Sequence, residues 1–292
     1  MKRSATSHWL RILVLIALVG ILAIVLMAAL RPQITDPHKG QVYIYDGFDW
    51  IWMTPLEGVE PNRMTAEDFS WQGRVPFYAG AEEYEVLRGI DVSEHQHDID
   101  WERVASADVD FVFVRIGRRG YSAGSLAPDE YYKQNIEGAL AAGLEVGVYF
   151  FSQAVNVQEA IEEAEYTLQL LEPYRDRITM PVVYDWEKIY DDSSARTAGL
   201  AAATLSDCAV AFCETVKAAG YTPCIYFNRN SGYYGLDLSR MTDYPFWFAL
   251  PESSFPNFYY KVDIWQYSFT ETVPGIDTPT DMNLYFRPKE AA

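Results

Sequence analysis

Four acidic residues stand where apolar, strand-like runs begin or end: Asp91 in GID, Asp185 and Glu187 in VVYDWE, and Asp281 in DMN. Asp185 and Glu187 are two residues apart, so in an extended strand their side chains point to the same side, about 6–7 Å apart. In a partly dry cleft such carboxylates repel each other, so one holds a proton as a general acid while the other stays anionic. Glycosidic-bond cleavage uses this pair of states. One such pair alone is more often two strand-end acids in water or in salt bridges, but the acids at two further strand ends favour a site.

A second set of residues is aromatic, amide-bearing or basic and lies near the same predicted strand ends. Aromatic rings can stack on the apolar faces of sugar rings, and amides can hydrogen-bond to hydroxyl groups, so the set predicts a carbohydrate-binding groove. The predicted substrate-binding residues are Gln96, Arg115, Tyr149, Phe150, Gln153, Tyr184, Tyr226, Trp247, Trp265, Gln266 and Tyr267.

Two histidines in the motif His95-Gln96-His97 raise the question of a metal site near Asp91. A full ligand set would require carboxylates in addition, and solvated loop histidines are the favoured interpretation. The sequence also lacks a G-x-S-x-G elbow, a P-loop and a dinucleotide-binding fingerprint. We therefore expect no metal and no organic cofactor.

The elements that must position these residues alternate regularly after Leu87. Near-continuous apolar strands separated by helical patterns indicate a parallel sheet covered on both faces, and the active sites of such barrels lie at the carboxyl ends of the strands. The strands are predicted at 89–92, 111–116, 146–151, 181–186, 223–227, 246–250, 262–267 and 281–286, and the helices at 101–107, 129–142, 158–171 and 197–219. The pattern predicts an α/β fold, an irregular TIM-like barrel of five βα units followed by three β-strands.

Several motifs of this region, in this order, resemble those of glycoside hydrolase family 25, the Chalaropsis-type lysozymes of bacteria and phages. They are GIDVSEHQHDIDW, FVFVRIGRRGY, GVYFFSQA, PVVYDWE, IYFN and DIWQYS…GID…DMN, and they extend from about Leu87 to Phe286. The resemblance implies a barrel of the predicted kind that cleaves the β-1,4 bond after N-acetylmuramic acid in peptidoglycan.

The resemblance also implies roles for the four acids. Glu187 corresponds to the general acid/base, and Asp185 to the group that orients the substrate's 2-acetamido group or stabilises positive charge. Asp91 and Asp281 correspond to supporting acids. The sequence departs from the family at His97, where the family usually has glycine, and at Asp277–Thr280, before the final D-x-N.

Composition and charge bound the remaining possibilities. The chain has 292 residues, 49% of them hydrophobic, and a formal net charge of −18, which excludes a disordered protein and argues against binding to nucleic acid. Its three cysteines, Cys208, Cys213 and Cys224, do not form a disulfide framework or a zinc motif, so we predict buried free thiols.

A membrane anchor is predicted at the N-terminus. The run Ile12–Leu30 has 19 residues without a charge, and as a helix it would be roughly 28 Å long, close to the hydrocarbon thickness of a bilayer. Basic residues precede it at Lys2, Arg3 and Arg11, which favours a cytoplasmic N-terminus. The alternative is a cleaved signal peptide, whose apolar region is usually shorter and ends at a small-residue site.

The predicted organisation therefore has five parts. They are a cytoplasmic N-terminus (1–11), a transmembrane anchor (12–30), an extracytoplasmic lead-in segment (31–86), a family 25-like catalytic barrel (87–287) and a C-terminal tail (288–292). We expect a monomeric, membrane-anchored muramidase whose partners are peptidoglycan glycan strands and the lipid bilayer. The alternatives are a non-hydrolytic wall-binding module on the same fold and hydrolysis of another polysaccharide.

Overall fold

The computed structural model describes residues 5–29, 36–80, 82–190 and 192–289. The chain divides into two compact units, Met1–Val42 and Tyr43–Ala292, which are described separately. Leu30, Arg31, Lys2 and Arg3, which bear on the predicted anchor, lie outside the described residues, as do residues 290–292 of the predicted tail.

The first unit contains one long helix, α1 (Ala5–Ala29). The stretch His8–Met27 has a mean hydropathy of 3.0 and is long and apolar enough to cross a membrane, and its side chains are exposed. The helix begins at Ala5, earlier than the predicted span, which starts at Ile12. A membrane-spanning helix and a signal sequence share these properties.

The second unit is built on a barrel of eight strands. The strands in the described residues are β1 (Val42–Tyr45), β2 (Trp50–Met53), β3 (Phe69–Gln72), β4 (Val75–Tyr78), β5 (Tyr84–Val92), β6 (Phe111–Arg119), β7 (Leu126–Pro128), β8 (Glu145–Ser152), β9 (Val182–Trp186), β10 (Pro223–Asn228), β11 (Phe246–Ala249), β12 (Ile264–Glu271) and β13 (Thr280–Pro288). The barrel order is β5-β13-β12-β11-β10-β9-β8-β6, and β6 closes the ring by pairing with β5. The predicted mixed α/β barrel of eight strands is confirmed.

The last strand runs against its neighbours. β5, β6 and β8 to β12 pair with one another in parallel, whereas β13 is antiparallel to both β12 and β5. We call the end where the parallel strands finish the upper end of the barrel. The first residues of β13 lie at that end, and Asp281 pairs with Asp91. This explains why one acid opens its strand while the others end theirs.

Alternation along the strands separates two apolar layers. Phe111, Phe113 and Trp247 belong to the cluster that fills the barrel interior. Val112 and Phe248, one position away, belong to the larger cluster outside the sheet. Because successive side chains point to opposite faces, this parity decides which residues can reach the upper cleft and which belong to the outer core.

Helices cover only part of the outer face. The α-helices are α2 (Trp101–Ala105), α3 (Tyr132–Ala141), α4 (Val157–Leu171) and α5 (Ala202–Ala218). The fifth predicted βα unit is the one that differs: β10 is followed by a π-turn at Ser231–Gly235 and a 3-10 turn at Leu238–Arg240. Asn228 and Asp237 accept hydrogen bonds from nearby backbone N–H groups, which favours short turns over a long helix.

The lead-in segment covers the strands that lack helices. Pro61 forms a β-bridge with Tyr260, and Trp71 donates from Nε1 to the Ser254 carbonyl at 3.2 Å. The ring of Phe69, on β3, lies 5.4 Å from that of Trp265 and 6.1 Å from that of Phe286 in an edge-to-face arrangement. The β3–β4 hairpin thus occupies the place that a helix takes elsewhere on the barrel.

This packing predicts that the hairpin stabilises the barrel. Phe69→Ala removes a buried ring from the contact with β12 and β13, and the free energy of unfolding should fall by about 3–5 kcal/mol. Phe77→Ala is a matched control, because Phe77 is an exposed ring on the same hairpin. Urea unfolding of the full-length protein in detergent, followed by near-ultraviolet circular dichroism, measures both changes. Equal, small losses would mean that the hairpin contributes little to the barrel.

The predicted free thiols are confirmed. Cys208 and Cys213 lie on α5, Cys224 lies on β10, and all three are buried without disulfides. Burial raises the pKa of each thiol above its usual value, so none is an activated nucleophile.

Candidate active site

The four acids predicted from the sequence come together at the upper end of the barrel. Asp91 and Asp185 have the parity of interior residues on β5 and β9, and Asp281 has it on β13. Glu187 directly follows β9 and continues the parity of Asp185. The electrostatic influence of these carboxyl groups on one another reflects their proximity.

A glutamine and a tyrosine hold two of the acids. Gln266 donates from Nε2 to Asp91 Oδ2 at 2.9 Å and to Asp281 Oδ2 at 3.2 Å. Its Oε1 accepts a hydrogen bond from the Tyr226 hydroxyl at 2.8 Å. The two carboxylates require the amide nitrogen on their side, and the tyrosine donor suits the oxygen, so this network orients the amide.

Asn283 supports Asp91 from the other side and was not predicted as a site residue. It donates from Nδ2 to Asp91 Oδ2 at 2.8 Å, and its Oδ1 accepts from Trp247 Nε1 at 2.8 Å. Because an indole N–H can only donate, Trp247 directs the Asn283 amide nitrogen toward the carboxylate. The available signal was the spacing: Asn283 is two residues after Asp281 and therefore on the same face.

Burial raises the pKa of all four acids. Hydrogen bonds from Asn283 and Gln266 oppose this effect at Asp91, whose pKa is raised to about 6. The pKa of Asp281 is raised to about 8 by burial and by the charges of Asp91 and Glu187. Burial and the charges of Glu187 and Asp91 raise the pKa of Asp185 well above its usual value. Burial also raises the pKa of Glu187. The cluster therefore retains protons at a pH at which isolated carboxyl groups have lost them.

One carboxyl oxygen of Asp185 has no hydrogen-bonding partner among the described residues. This atom, Oδ1, is buried. Arg115 lowers the pKa of Asp185 electrostatically, but its own guanidinium is engaged by Asp129 at 2.8 Å and Glu94 at 3.0 Å. A buried carboxyl oxygen without a partner is costly, and a donor from a ligand would satisfy it.

The backbone of Glu187 is fixed by a second amide. Gln153 donates from Nε2 to the Glu187 carbonyl at 2.8 Å, and its Oε1 accepts from Thr197 Oγ1 at 2.7 Å. Gln153 is fully buried, so it positions the loop of the candidate acid. Its predicted role as a substrate contact is incompatible with this position.

Two further predicted binding residues also have structural roles. Gln96 accepts from Ser93 N at 2.9 Å and donates to the Pro279 carbonyl at 3.2 Å, which ties the loop after β5 to the approach to β13. Arg115 is 9% exposed and is held by its two ion pairs. Both residues shape the rim and wall of the cleft.

Tyr149 and Tyr226 remain the aromatic candidates for substrate contact. Both are half-buried on the interior face, and both have pKa values raised by burial and by the neighbouring acids. Trp247 is 2% exposed and stacks on Phe113 at 4.6 Å, so it forms the floor beneath the acids instead of the binding surface.

Four predicted binding residues point away from the cleft, and the prediction is wrong for them. Phe150 and Tyr184 pack in the outer core against Phe212 on α5. Trp265 and Tyr267 pack on the outer face of β12 against the lead-in segment. The physical reason is parity: each is adjacent to an interior residue, so its side chain crosses to the other face.

The loop after β5 contains an unusual backbone conformation at the position where family 25 usually has glycine. His97 has φ 54° and ψ −136°, a conformation that side chains with a Cβ rarely adopt. Both His95 and His97 are exposed, and the described residues contain no cluster of three or more His, Cys, Asp or Glu arranged to hold a metal ion.

An α/β barrel with interacting carboxyl groups at the carboxyl ends of its strands has the architecture of a barrel glycosidase. The family model for glycosyl hydrolases family 25 matches residues 90–276. The chain belongs to this family and is a glycoside hydrolase.

Individual relatives agree with this assignment. Lysozyme M1 of Streptomyces globisporus is 27% identical over 209 residues, which is 68% of this chain and 67% of that protein. The modular autolysin LytC of Streptococcus pneumoniae, solved in complex with a synthetic peptidoglycan ligand, has a TM-score of 0.62 and 25% identity. The alignment covers 75% of this chain but only 52% of LytC, so the chain spans about half of that protein. The bacterial lysozyme of Streptomyces coelicolor, 24% identical with a TM-score of 0.55, shares the fold over 70% of this chain and 93% of its own.

Proposed function

We propose that this protein is an N-acetylmuramidase that hydrolyses the β-1,4 bond between N-acetylmuramic acid and N-acetylglucosamine in peptidoglycan. The observation that carries the proposal is the cluster of buried acids with raised pKa values on a family 25 barrel. The lysozyme names of relatives such as Lysozyme M1 support the choice of substrate.

In this mechanism Glu187 protonates the leaving glycosidic oxygen. A general acid must hold its proton near the working pH, and burial raises the pKa of Glu187 in that direction. The Gln153 amide fixes the Glu187 backbone, which keeps the carboxyl group at one place above the barrel. After cleavage, the same carboxylate can take a proton from the attacking water.

Asp185 receives the 2-acetamido group of the substrate. An acetamido N–H that donates to the unsatisfied Asp185 Oδ1 stabilises the carboxylate and therefore lowers the pKa of Asp185. Before binding, burial and the charges of Glu187 and Asp91 hold the pKa of Asp185 well above its usual value. Substrate binding thus favours the anionic form of Asp185, while Glu187 keeps the proton that it donates. The Asp185 carboxylate then stabilises positive charge as the bond breaks.

Identification of the new reducing end tests this function. We expect the full-length protein, purified in detergent and mixed with isolated peptidoglycan, to release fragments whose reducing end is N-acetylmuramic acid. Borohydride reduction followed by mass spectrometry distinguishes the two amino sugars. N-acetylglucosamine at the new end would instead indicate a glucosaminidase, and binding without products would indicate a wall-binding module.

We further propose that α1 anchors the enzyme in the cytoplasmic membrane with the barrel outside. The apolar stretch His8–Met27 supports this topology. Full-length protein should stay in the membrane fraction after a high-salt wash, because the anchor is hydrophobic and not electrostatic. Protease added to intact, wall-stripped cells should remove the barrel. Release of a mature protein that begins near Arg31 would contradict the anchor and indicate a signal peptide.

A further inference from the structure

The β1–β2 hairpin presents four aromatic rings on one exposed face. Tyr43, Tyr45, Trp50 and Trp52, which we call the aromatic ladder, are 54%, 36%, 61% and 45% exposed. Strand alternation places them together, while Ile44, between the two tyrosines, is buried on the opposite face. An exposed apolar face of this kind marks a binding surface more often than chance.

The rings form a continuous surface. The Tyr43 ring lies 5.4 Å from the Trp50 ring, nearly parallel to it, and 5.0 Å from the Trp52 ring. The Tyr45 ring lies 5.7 Å from the Trp50 ring. Mutual contact orders the rings before any ligand arrives, which lowers the entropic cost of binding.

The hairpin turn is fastened to the upper end of the barrel. The Tyr234 hydroxyl donates to the Asp46 carboxylate, and the Arg229 guanidinium lies 5.6 Å from the centre of the Tyr45 ring. Arg229 and Tyr234 both lie in the turns that directly follow β10, the strand that carries Tyr226 of the acid network. The aromatic ladder is therefore attached at the upper end of the barrel, the end at which the candidate catalytic acids lie.

We propose that the aromatic ladder binds the glycan strand beyond the bond that is cleaved. This inference rests on the proposed function. Pyranose rings have apolar C–H faces that stack on aromatic rings, and a row of sugars matches a row of rings. A bilayer surface is the less favoured occupant, because the hairpin has Asp46 and Asp49 but no Lys or Arg from residue 42 to 53, whereas interfacial elements usually include basic residues.

Binding to insoluble wall tests the ladder. The full-length Glu187→Gln protein in detergent, with cleavage slowed, is cosedimented with purified peptidoglycan sacculi, with and without Trp50→Ala and Trp52→Ala. We expect the dissociation constant to rise at least tenfold in the ladder variant. Phe77→Ala, an exposed ring on the other hairpin, should leave it unchanged. Trp50→Tyr with Trp52→Tyr should restore most of the binding, because ring faces are retained.

Parallel measurements separate the possible failures. If the unsubstituted chain releases no reducing ends but its sacculus binding depends on the two tryptophans, the proposed activity is wrong and glycan binding by the aromatic ladder is supported. If the unsubstituted chain cleaves peptidoglycan and the alanine variant binds sacculi as tightly as the protein with both tryptophans, glycan binding by the aromatic ladder is contradicted. A second measurement uses protein reconstituted in vesicles that contain headgroup-labelled lipids, which quench the fluorescence of nearby tryptophans. If the alanine variant loses this quenching while its sacculus binding is unchanged, the aromatic ladder contacts the bilayer and the proposal is likewise overturned.

Discussion

Glu187→Gln should lower turnover on peptidoglycan by roughly 10²–10⁴-fold, the usual contribution of a positioned general acid. The amide keeps the size of the side chain but cannot donate a proton to the glycosidic oxygen. The Gln153 contact is made to the backbone carbonyl of residue 187, so the substitution should leave the loop in place. Reducing-end release from purified peptidoglycan measures the effect.

The control for Glu187 is a substrate with a good leaving group. Such an aryl glycoside needs little protonation when the bond breaks, so Glu187→Gln should recover part of its rate on it. Binding to sacculi should survive, because the substitution removes a transition-state interaction. An unchanged rate on peptidoglycan would contradict the assignment and make Asp281, whose pKa is raised to about 8, the next candidate.

Asp185→Asn should lower turnover by about 10²–10³-fold, as the loss of a preorganised electrostatic group does. No leaving group should rescue it, because stabilisation of positive charge is needed whatever group departs. The variant also changes the pH dependence. Loss of the neighbouring negative charge makes Glu187 easier to ionise, so its pKa in the substrate complex falls.

The sign of the pH effect follows from the form that reacts. Glu187 must be protonated to donate, so activity disappears as the pH rises through its pKa. The alkaline limb of the kcat profile should therefore move to lower pH in Asp185→Asn, and kcat reports the substrate complex. Glu162→Gln is a matched control, because Glu162 lies on α4 outside the barrel and pairs with Arg119. An alkaline limb that does not move in Asp185→Asn would mean that the charge of Asp185 does not control the pKa of Glu187.

The barrel and the four acids could be predicted from the sequence for one physical reason. Buried strands are apolar, so an acid such as Asp185 at a strand end is conspicuous. Asn283 and Trp247 were harder to assign, because their function lies in hydrogen bonds between strands that are distant in the chain.

The wrong predictions for the aromatic residues of β12 have a different physical cause. Trp265 and Tyr267 flank Gln266, and strand alternation alone would have placed them on the opposite face from that amide. Their partner on that face is the β3–β4 hairpin. The sequence offered no catalytic pattern in the lead-in segment, and its packing against β12 depends on tertiary contacts that local patterns do not encode.

The closure of the barrel by its first and last strands has a consequence for how the chain folds. Asn283 on β13 bonds to Asp91 across 192 residues of sequence, and Trp71 reaches Ser254 across 183. Contacts this remote form slowly, because a long loop must close before they contribute. Until the final strand has emerged, β5 and β12 each present an unpaired edge, which is the kind of surface that misassembles. A chain truncated before Thr280 should accordingly aggregate instead of yielding a smaller, partly active enzyme.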